Sequence, residues 1–270
     1  VNDQNSSSAD SFSSVVLENL GGGFTFLRPL NGGNPFRKTP WRISAGMNFK
    51  NVSMIDSSSN KKPYATKNPT TANISEIICI GYSLKDGSCP SENTLISVSA
   101  GASYNKLNNS VNPSSGSLLR FGSEQFLSLG DNSPTFNRLS ASYSWFIPVR
   151  FVNFTKECKS EVSSKNDCFQ TIGFQVKTGT ILGELPPYES FCMGGPSSVR
   201  GWGSCELAVS KSFAEVSVEY RVPVWRMISG ALFVDAGTDL GSQKDVPGKP
   251  GKLLNKAGSG FSLGGGIGIK

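Results

Sequence analysis

One arginine stands alone in a stretch rich in glycine and serine, MGGPSSVRGWG at residues 193–203. Glycine-rich loops often bind phosphate groups through their backbone N–H groups. A P-loop requires Gly-Lys-Ser/Thr, and a dinucleotide-binding turn requires G-x-G-x-x-G before a helix, but neither pattern is present. Ser197 and Ser198 could act as nucleophiles only beside a base, and the chain contains no histidine. Arg200 is therefore either a solvated loop residue or part of a structural contact.

The rest of the chain carries little of what enzymes and metal sites use. Histidine is the commonest general base and transition-metal ligand, and the six cysteines include no C-x-x-C pair. The formal net charge of +6 is spread along the chain without a Lys/Arg cluster, so it argues only weakly for a nucleic-acid surface. We therefore predict a protein that is not an enzyme and has no metal site, cofactor or nucleic-acid partner.

Apolar and polar residues alternate along the segments that must position Arg200. In FAEVSVEYRVPVW, residues 213–225, apolar residues at the even positions alternate with polar residues that include Glu219. This period of two indicates a strand with one apolar and one polar face. In ALFVDAGT, Asp235 shares its face with Phe233 and Gly237. Glu219 and Asp235 are thus predicted on the polar faces of neighbouring strands.

About ten segments show the same alternation, and no apolar run reaches the roughly 18 residues that a membrane-spanning helix needs. Two all-β architectures fit this pattern. A soluble β-sandwich or lipocalin-like barrel has shorter strands with outward polar faces. An antiparallel transmembrane β-barrel has longer strands, apolar outside and rich in small polar residues inside. Strand length and the serines and glycines of the polar faces favour the membrane barrel. The segments are GGGFTFLRPL, WRISAGMNFK, ISEIICIGYS, TLISVSAGASY, SLLRFGSEQFL, FNRLSASYSWFI, QTIGFQVKTGTIL, FAEVSVEYRVPVW, ALFVDAGT and GFSLGGGIGIK.

The cysteines fall into three pairs that are adjacent in the sequence. The simplest arrangement is three disulfides, which would place the protein in an oxidising compartment such as a periplasm. Other pairings and reduced cysteines, above all at the strand-embedded first position, are the alternatives. One predicted strand separates the last two pairs, so these should lie at opposite rims of the barrel. The pairs are Cys79 with Cys89, Cys158 with Cys168, and Cys192 with Cys205.

The loop and the strands that follow it resemble the BamA-type outer-membrane assembly and translocation superfamily, the bacterial surface antigen barrels. That family carries a Val/Ile-Arg-Gly-aromatic loop tip before an F-x-D-x-G strand, and NPSSGS is similar to its P-T-x-G-S turn. The resemblance covers roughly residues 90–270 and is nearest to the cyanobacterial and chloroplast-envelope branch. A tryptophan stands where Phe or Tyr is usual. The matching positions are Val199, Arg200, Gly201 and Trp202 in the loop and Phe233, Asp235 and Gly237 in the strand.

The resemblance implies a role for the lone arginine. In that family the long loop folds into the barrel lumen and brings its arginine to the wall. A guanidinium can form two parallel hydrogen bonds with a carboxylate, which a lysine cannot match. We therefore expect Arg200, Asp235 and Glu219 to form a contact inside the lumen, here called the latch.

The resemblance also implies a function and a place. It predicts a non-enzymatic barrel that inserts or translocates polypeptides, in the outer membrane of a cyanobacterium or the outer envelope of a chloroplast. Expected partners are unfolded outer-membrane or translocated polypeptides, membrane lipid, and periplasmic repeats of the same full-length chain. The alternatives are a passive outer-membrane pore for small solutes or ions, and a soluble β-barrel or sandwich that binds a partner.

Family numbering makes this chain part of a presumed 16-stranded barrel. Residues 1–20 are polar and predicted to be disordered or a linker, and residues 21–270 a partial transmembrane barrel domain. If the long loop precedes the twelfth strand, the predicted strands are the fifth to the fourteenth, and the closing strands at both ends are expected to be missing.

Overall fold

The computed structural model describes residues 16–33, 39–55, 65–67, 77–79, 92–129, 133–151, 170–225, 228–246 and 258–269. They form β-strands and loops, with single 3₁₀ turns at Pro187–Glu189 and Gln243–Asp245. Within these ranges, no helix has the length and apolar character needed to span a membrane. The strands are β1 (Val16–Pro29), β2 (Trp41–Ile55), β3 (Ala65–Lys67), β4 (Ile77–Cys79), β5 (Glu92–Asn105), β6 (Gly116–Ser128), β7 (Phe136–Val149), β8 (Gln170–Gly183), β9 (Phe191–Met193), β10 (Ala208–Ser210), β11 (Ser212–Trp225), β12 (Ile228–Thr238) and β13 (Ser259–Ile269).

Nine of these strands form one antiparallel sheet in the order β1-β2-β5-β6-β7-β8-β11-β12-β13. Each strand of the sheet pairs with the next one along the chain, so the connections are hairpins that alternate between two rims. The shortest of the nine has 11 residues and the longest 15. A strand of about 9–11 residues suffices to cross a bilayer. This confirms the predicted all-β antiparallel fold.

One predicted sheet strand was wrong. Of ISEIICIGYS, only Ile77–Cys79 is a strand among the described residues, and it pairs with Ala65–Lys67 in a separate two-stranded sheet. β2 pairs directly with β5, so this segment lies in the connection between them. The segment has no alternating polar face, which every strand of the large sheet needs because one of its faces is lined by polar groups. The sheet therefore has nine strands where about ten were predicted.

The two faces of the large sheet differ in chemistry. One face carries exposed large apolar side chains on all nine strands. Leu232 of β12 is 62% exposed and Leu263 of β13 is 76% exposed, which is normal only for a surface that meets lipid or a partner. The opposite, inner face carries serine, glycine and the ionisable residues. The exposed apolar set includes Leu20, Phe26, Phe49, Val98, Phe121, Trp145, Phe174, Val216, Leu232 and Leu263.

The long connection between β8 and β11 folds onto the inner face. Its first half packs against the strands near one rim, where Leu185 and Phe191 join a buried apolar cluster. That cluster includes Phe126 and Phe136, whose rings stack with centroids 4.2 Å apart. The inner surface is thus occupied by a loop of the same chain, as the resemblance implied. Val52, Leu95, Ile181 and Val246 complete the cluster.

Candidate functional site

The site begins with the loop arm, residues 184–192, that leaves β8. The chain turns inward at Gly183, whose φ of +104° is a backbone conformation that favours glycine. Glu189 then lies only 5% exposed, and its carboxylate accepts from Lys50 of β2 at 2.5 Å and from Arg138 of β7 at 3.4 Å. Tyr188 beside it donates to Asn93 of β5 at 3.3 Å. The arm is therefore anchored to the inner wall by charge as well as by apolar packing.

A short hairpin closes the loop beyond this arm. β9 pairs with β10, and Cys192 and Cys205 are joined in a disulfide whose Cα atoms are 4.5 Å apart. The disulfide brackets the loop tip, which we define as residues 193–204. Because both ends of the tip are tied together, the tip has fewer conformations open to it than a free loop of that length. The side chain of Cys79 and the residues Cys89, Cys158 and Cys168 lie outside the described part of the chain.

Glycines and a serine shape the tip. Gly194 and Gly201 have φ values of +107° and +90°, which other residues adopt only with strain. Ser198 accepts the N–H of Gly194 at 2.9 Å and donates to the carboxylate of Glu215 on β11. Lys177 of β8 donates to the backbone carbonyl of Ser197. These contacts present the next residues of the tip to the wall formed by β11 and β12.

Arg200 contacts Asp235 through both its backbone and its side chain. Its backbone N–H and its Nε donate to Asp235 Oδ2 at 3.1 and 2.7 Å, and its Nη2 donates to Oδ1 at 2.8 Å. Asp235 is 1% exposed and also accepts from Ser217 at 2.6 Å. The carboxylate is thus buried with each oxygen bonded, which is the condition under which a buried charge is tolerated.

The same guanidinium contacts two further residues of the wall. Its Nη1 donates to Glu219 Oε2 at 2.5 Å, and its plane lies over the ring of Phe233 with 3.6 Å from Cζ to the centroid. The hydrogen bond to Asp235 and, less strongly, that to Glu219 raise the pKa of Arg200 above its ordinary value, against the opposing effect of burial. The guanidinium therefore stays charged at any physiological pH.

Small residues on the wall make room for the tip. A Cβ on Gly237 would lie 2.7 Å from Met193 Cε and 2.8 Å from Val199 Cγ2, closer than such atoms approach. A Cβ on Gly260 of β13 would lie 3.1 Å from Trp202 Cζ2. The Trp202 indole N–H points to the carbonyl of Phe261 at 3.5 Å. The tip therefore sits directly on the backbones of β12 and β13.

The structure places all the residues of the predicted latch together, and it adds others that sequence reasoning missed. Glu215 and Ser217 of the wall bind the loop tip, and Glu189 of the loop arm binds the wall. The sequence analysis singled out none of the three. Glu215 and Ser217 lie in the same polar phase of β11 as Glu219, which was a visible signal. Glu189 is in a loop, so no periodicity could have indicated it.

The chemistry of this arrangement is that of a structural contact. The carboxylates of Asp235 and Glu219 accept hydrogen bonds from the guanidinium of Arg200. The hydroxyl of Ser198 donates to Glu215, and the chain contains no histidine that could act as its base. Among the described residues, no group of three His, Cys, Asp or Glu side chains could hold a metal ion. What the geometry can do is fix the position of the loop tip inside the concave wall.

Comparisons with known proteins concern the family and the fold of the chain. The model of a family described as the Omp85 superfamily domain matches residues 1–270. The chain is 37% identical over 150 residues to protein TOC75-4, chloroplastic, from Arabidopsis thaliana, which covers 56% of this chain and 35% of the relative. It is 39% identical over 92 residues to outer envelope protein 39, chloroplastic, from Arabidopsis thaliana, covering 34% of this chain and 25% of the relative. This chain therefore spans about a third or less of the length of these curated relatives.

A solved structure shares the fold. The crystal structure of BamA from Haemophilus ducreyi lacking POTRA domains 1-3 superimposes with a TM-score of 0.60 and 15% sequence identity. The match covers 94% of this chain and 48% of that one. At this identity the likeness concerns the fold.

Proposed function

The chain belongs to the Omp85 superfamily, and on that premise we propose that it forms part of a β-barrel that inserts polypeptides into an outer membrane or translocates them across it. The observation that carries the proposal is the latch. The loop tip, bracketed by a disulfide and bound by Arg200 to Asp235 and Glu219, covers part of the inner wall, so that part becomes accessible only when the tip moves. A loop held inside the lumen by reversible ion pairs suits a barrel whose interior must open for a polypeptide.

The outer face supports a membrane location. Its exposed apolar side chains run across all nine strands, and a soluble β-domain would aggregate through such a surface. We therefore propose lipid as the partner of the outer face. The names of the relatives place those proteins in chloroplasts, one of them in the outer envelope. For this chain we propose the outer envelope of a chloroplast or the outer membrane of a cyanobacterium.

The proposed partners of the inner face are unfolded polypeptides on their way into or through the membrane. Periplasmic repeats of the same full-length chain would deliver them. No residue of the described wall is proposed to perform a chemical reaction. The role of the barrel is to bind, guide and release.

The test uses the full-length protein in proteoliposomes. A urea-denatured small outer-membrane barrel is added outside, and its insertion is followed by heat-modifiable migration and protease protection; a secreted polypeptide tests translocation. We expect the proteoliposomes to insert or translocate at least one of these two polypeptides faster than empty liposomes do. Arg200→Ala should slow that process. Arg120→Ala is the matched control, because Arg120 also lies on the inner wall but forms no ion pair with a described residue.

The same preparation separates the alternative functions. Proteoliposomes that conduct ions but insert and translocate nothing would support the passive pore. A protein that stays in the aqueous phase on detergent partition would support the soluble binding module. Either result would contradict the proposal.

A further inference from the structure

A small polar cluster lies on the outer face of the sheet. Ser123 and Gln125 share the outward phase of β6 with Phe121 and Leu127, which are exposed. Asn137 of β7 lies opposite Gln125 in the register. Ser123, Gln125 and Asn137, here called the amide cluster, lie near the end of β6 and the start of β7. Because about 9–11 residues of a strand cross a bilayer, this end of the long strands lies at the depth of the lipid head groups.

The amide cluster has used its N–H donors within the protein. Gln125 Nε2 donates to the carbonyls of Phe126 at 3.0 Å and Phe136 at 3.2 Å. Asn137 Nδ2 donates to Gln125 Oε1 at 3.0 Å and to Ser123 Oγ at 3.3 Å. Each amide oxygen can accept two hydrogen bonds, and each receives only one from a described residue, Asn137 Oδ1 from Ser123 Oγ at 3.3 Å. What the cluster can still offer to a molecule outside the wall is therefore acceptor oxygens.

An open groove of about 710 Å³ adjoins the amide cluster on the same face. Ser123 belongs to the lining of the groove, together with Ala100 and Ala102 of β5 and Ala141 of β7. Ala102 and Ala141 are the neighbours of Phe121 in the register. Their small side chains leave a depression beside its large ring, which an apolar chain can fill. A polar cluster at head-group depth thus continues into an apolar groove, which is the shape of a site for a single lipid.

The absence of charge restricts the head group. Along their described lengths, β6, β7, β8 and β11 present no Asp, Glu, Lys or Arg on the outer face. A phosphate bound here would find no cation, although Lys and Arg are what proteins use to bind phosphate. A phosphocholine head group also has no N–H or O–H to donate to the free amide oxygens. Sugar hydroxyls are uncharged and donate, so they match the cluster on both counts.

We propose that the amide cluster and the adjoining groove bind one membrane lipid with an uncharged sugar head group. The sugar hydroxyls donate to the amide oxygens of Gln125 and Asn137, and one acyl chain lies in the groove over Ala102 and Ala141. The inference rests on the membrane location proposed above and names a lipid class for one place on the outer face.

The test measures which lipid stays on the protein. The full-length protein is placed in nanodiscs made of equal parts of phosphatidylcholine, phosphatidylglycerol and a digalactosyl diacylglycerol, all with the same acyl chains. It is then released with a mild detergent, and the retained lipids are identified by native mass spectrometry. We expect the digalactosyl lipid to be retained at least about fivefold more than either phospholipid, the factor that one ordinary hydrogen bond represents.

Two variants address the two halves of the site. Gln125→Leu combined with Asn137→Leu removes the acceptors; both are replaced because either change alone would leave the other amide without its partner. Ala141→Leu fills the groove and leaves the amide cluster intact. Each variant should lose the preference for the sugar lipid. Ala236→Leu is the matched control, since Ala236 lies in the outward phase of β12 but outside the groove, and it should keep the preference.

Three outcomes overturn the inference: equal retention of the three lipids, a preference for phosphatidylglycerol, and a preference for the sugar lipid that survives in Ala141→Leu. Should the double leucine variant not fold, Ala141→Leu against Ala236→Leu decides alone. A protein that never enters the nanodiscs would contradict the membrane location itself, and this result differs from that of a protein that enters them but retains the three lipids equally.

Discussion

Arg200→Ala isolates the energy of the latch, because the backbone bond from residue 200 to Asp235 survives the substitution. What is lost is the side-chain contact: two bonds to Asp235, one to Glu219 and the stack on Phe233. Asp235, which is 1% exposed, would then keep only Ser217 and a backbone N–H as donors. Removing one member of a buried ion pair typically costs about 3–5 kcal/mol, since the other charge is stranded.

The assay is hydrogen exchange across the loop tip in nanodiscs, which reports the free energy of opening. At about 1.4 kcal/mol per factor of ten, the loss predicts tip amides that exchange roughly two to four orders of magnitude faster. Arg200→Lys keeps the charge but cannot form the two parallel bonds, so we expect a smaller loss of about 1.5–3 kcal/mol. Arg120→Ala should leave the tip within about 0.5 kcal/mol of the unaltered protein.

A double-mutant cycle with Asp235→Asn decides whether the energy belongs to this pair. Residues in direct contact show interaction energies of about 0.5–3 kcal/mol, and a charge-assisted pair belongs at the upper end. Additive effects of Arg200→Ala and Asp235→Asn would refute the reasoning. So would an alanine variant whose tip exchanges no faster than that of the Arg120→Ala control.

Three further predictions concern the loop around the latch. Peptide mapping without reduction should find Cys192 joined to Cys205, and serine at both positions should destabilise the closed tip by about 3 kcal/mol in the chain-entropy model. Gly237→Ala should cost about 1–3 kcal/mol of tip stability by overpacking, whereas Gly266→Ala, with open space around its Cβ, should cost little. Burial and the neighbouring negative charge raise the pKa of Tyr188 well above its ordinary value of about 10. The contribution of this shift to the stability of the folded loop arm is therefore complete below pH ~10 and is lost as the pH rises beyond it. Tyr188→Phe should abolish this loosening of the arm at alkaline pH.

The sequence predicted the strands well because each one must present two different faces. Alternation depends only on neighbouring residues, so FAEVSVEYRVPVW could be assigned without knowing its partners, and it placed Glu219 on the inner face. The same criterion explains the error at Ile77–Cys79: a uniformly apolar run was counted as a strand of the large sheet although it lacked the polar phase. The β2–β5 pairing that replaced it is a contact over some forty residues, which no local pattern reports.

The latch could be anticipated only in part. The polar phases of β11 and β12 pointed Glu219 and Asp235 to one side, and the resemblance supplied the loop that meets them. Arg221 also donates to Glu219, through its Nε, and neither the alternation of residues nor the resemblance indicated this second arginine. Arg221 lies in the polar phase of β11. Its contact with the carbonyl of Pro113, in the turn between β5 and β6, depends on the curvature of the whole sheet, which no local pattern indicates.

The loop is anchored at two places that lie far apart on the wall. Glu189 binds Lys50 on β2, and Arg200 binds Asp235 on β12, six strands further along the sheet. At about 4.8 Å per strand, that is an arc of roughly 29 Å. The loop therefore runs across the inner face and connects strands that are not neighbours in the sheet. The disulfide between Cys192 and Cys205 encloses Arg200 but not Glu189, so breaking the ion pairs of one anchor leaves the covalent closure of the tip intact.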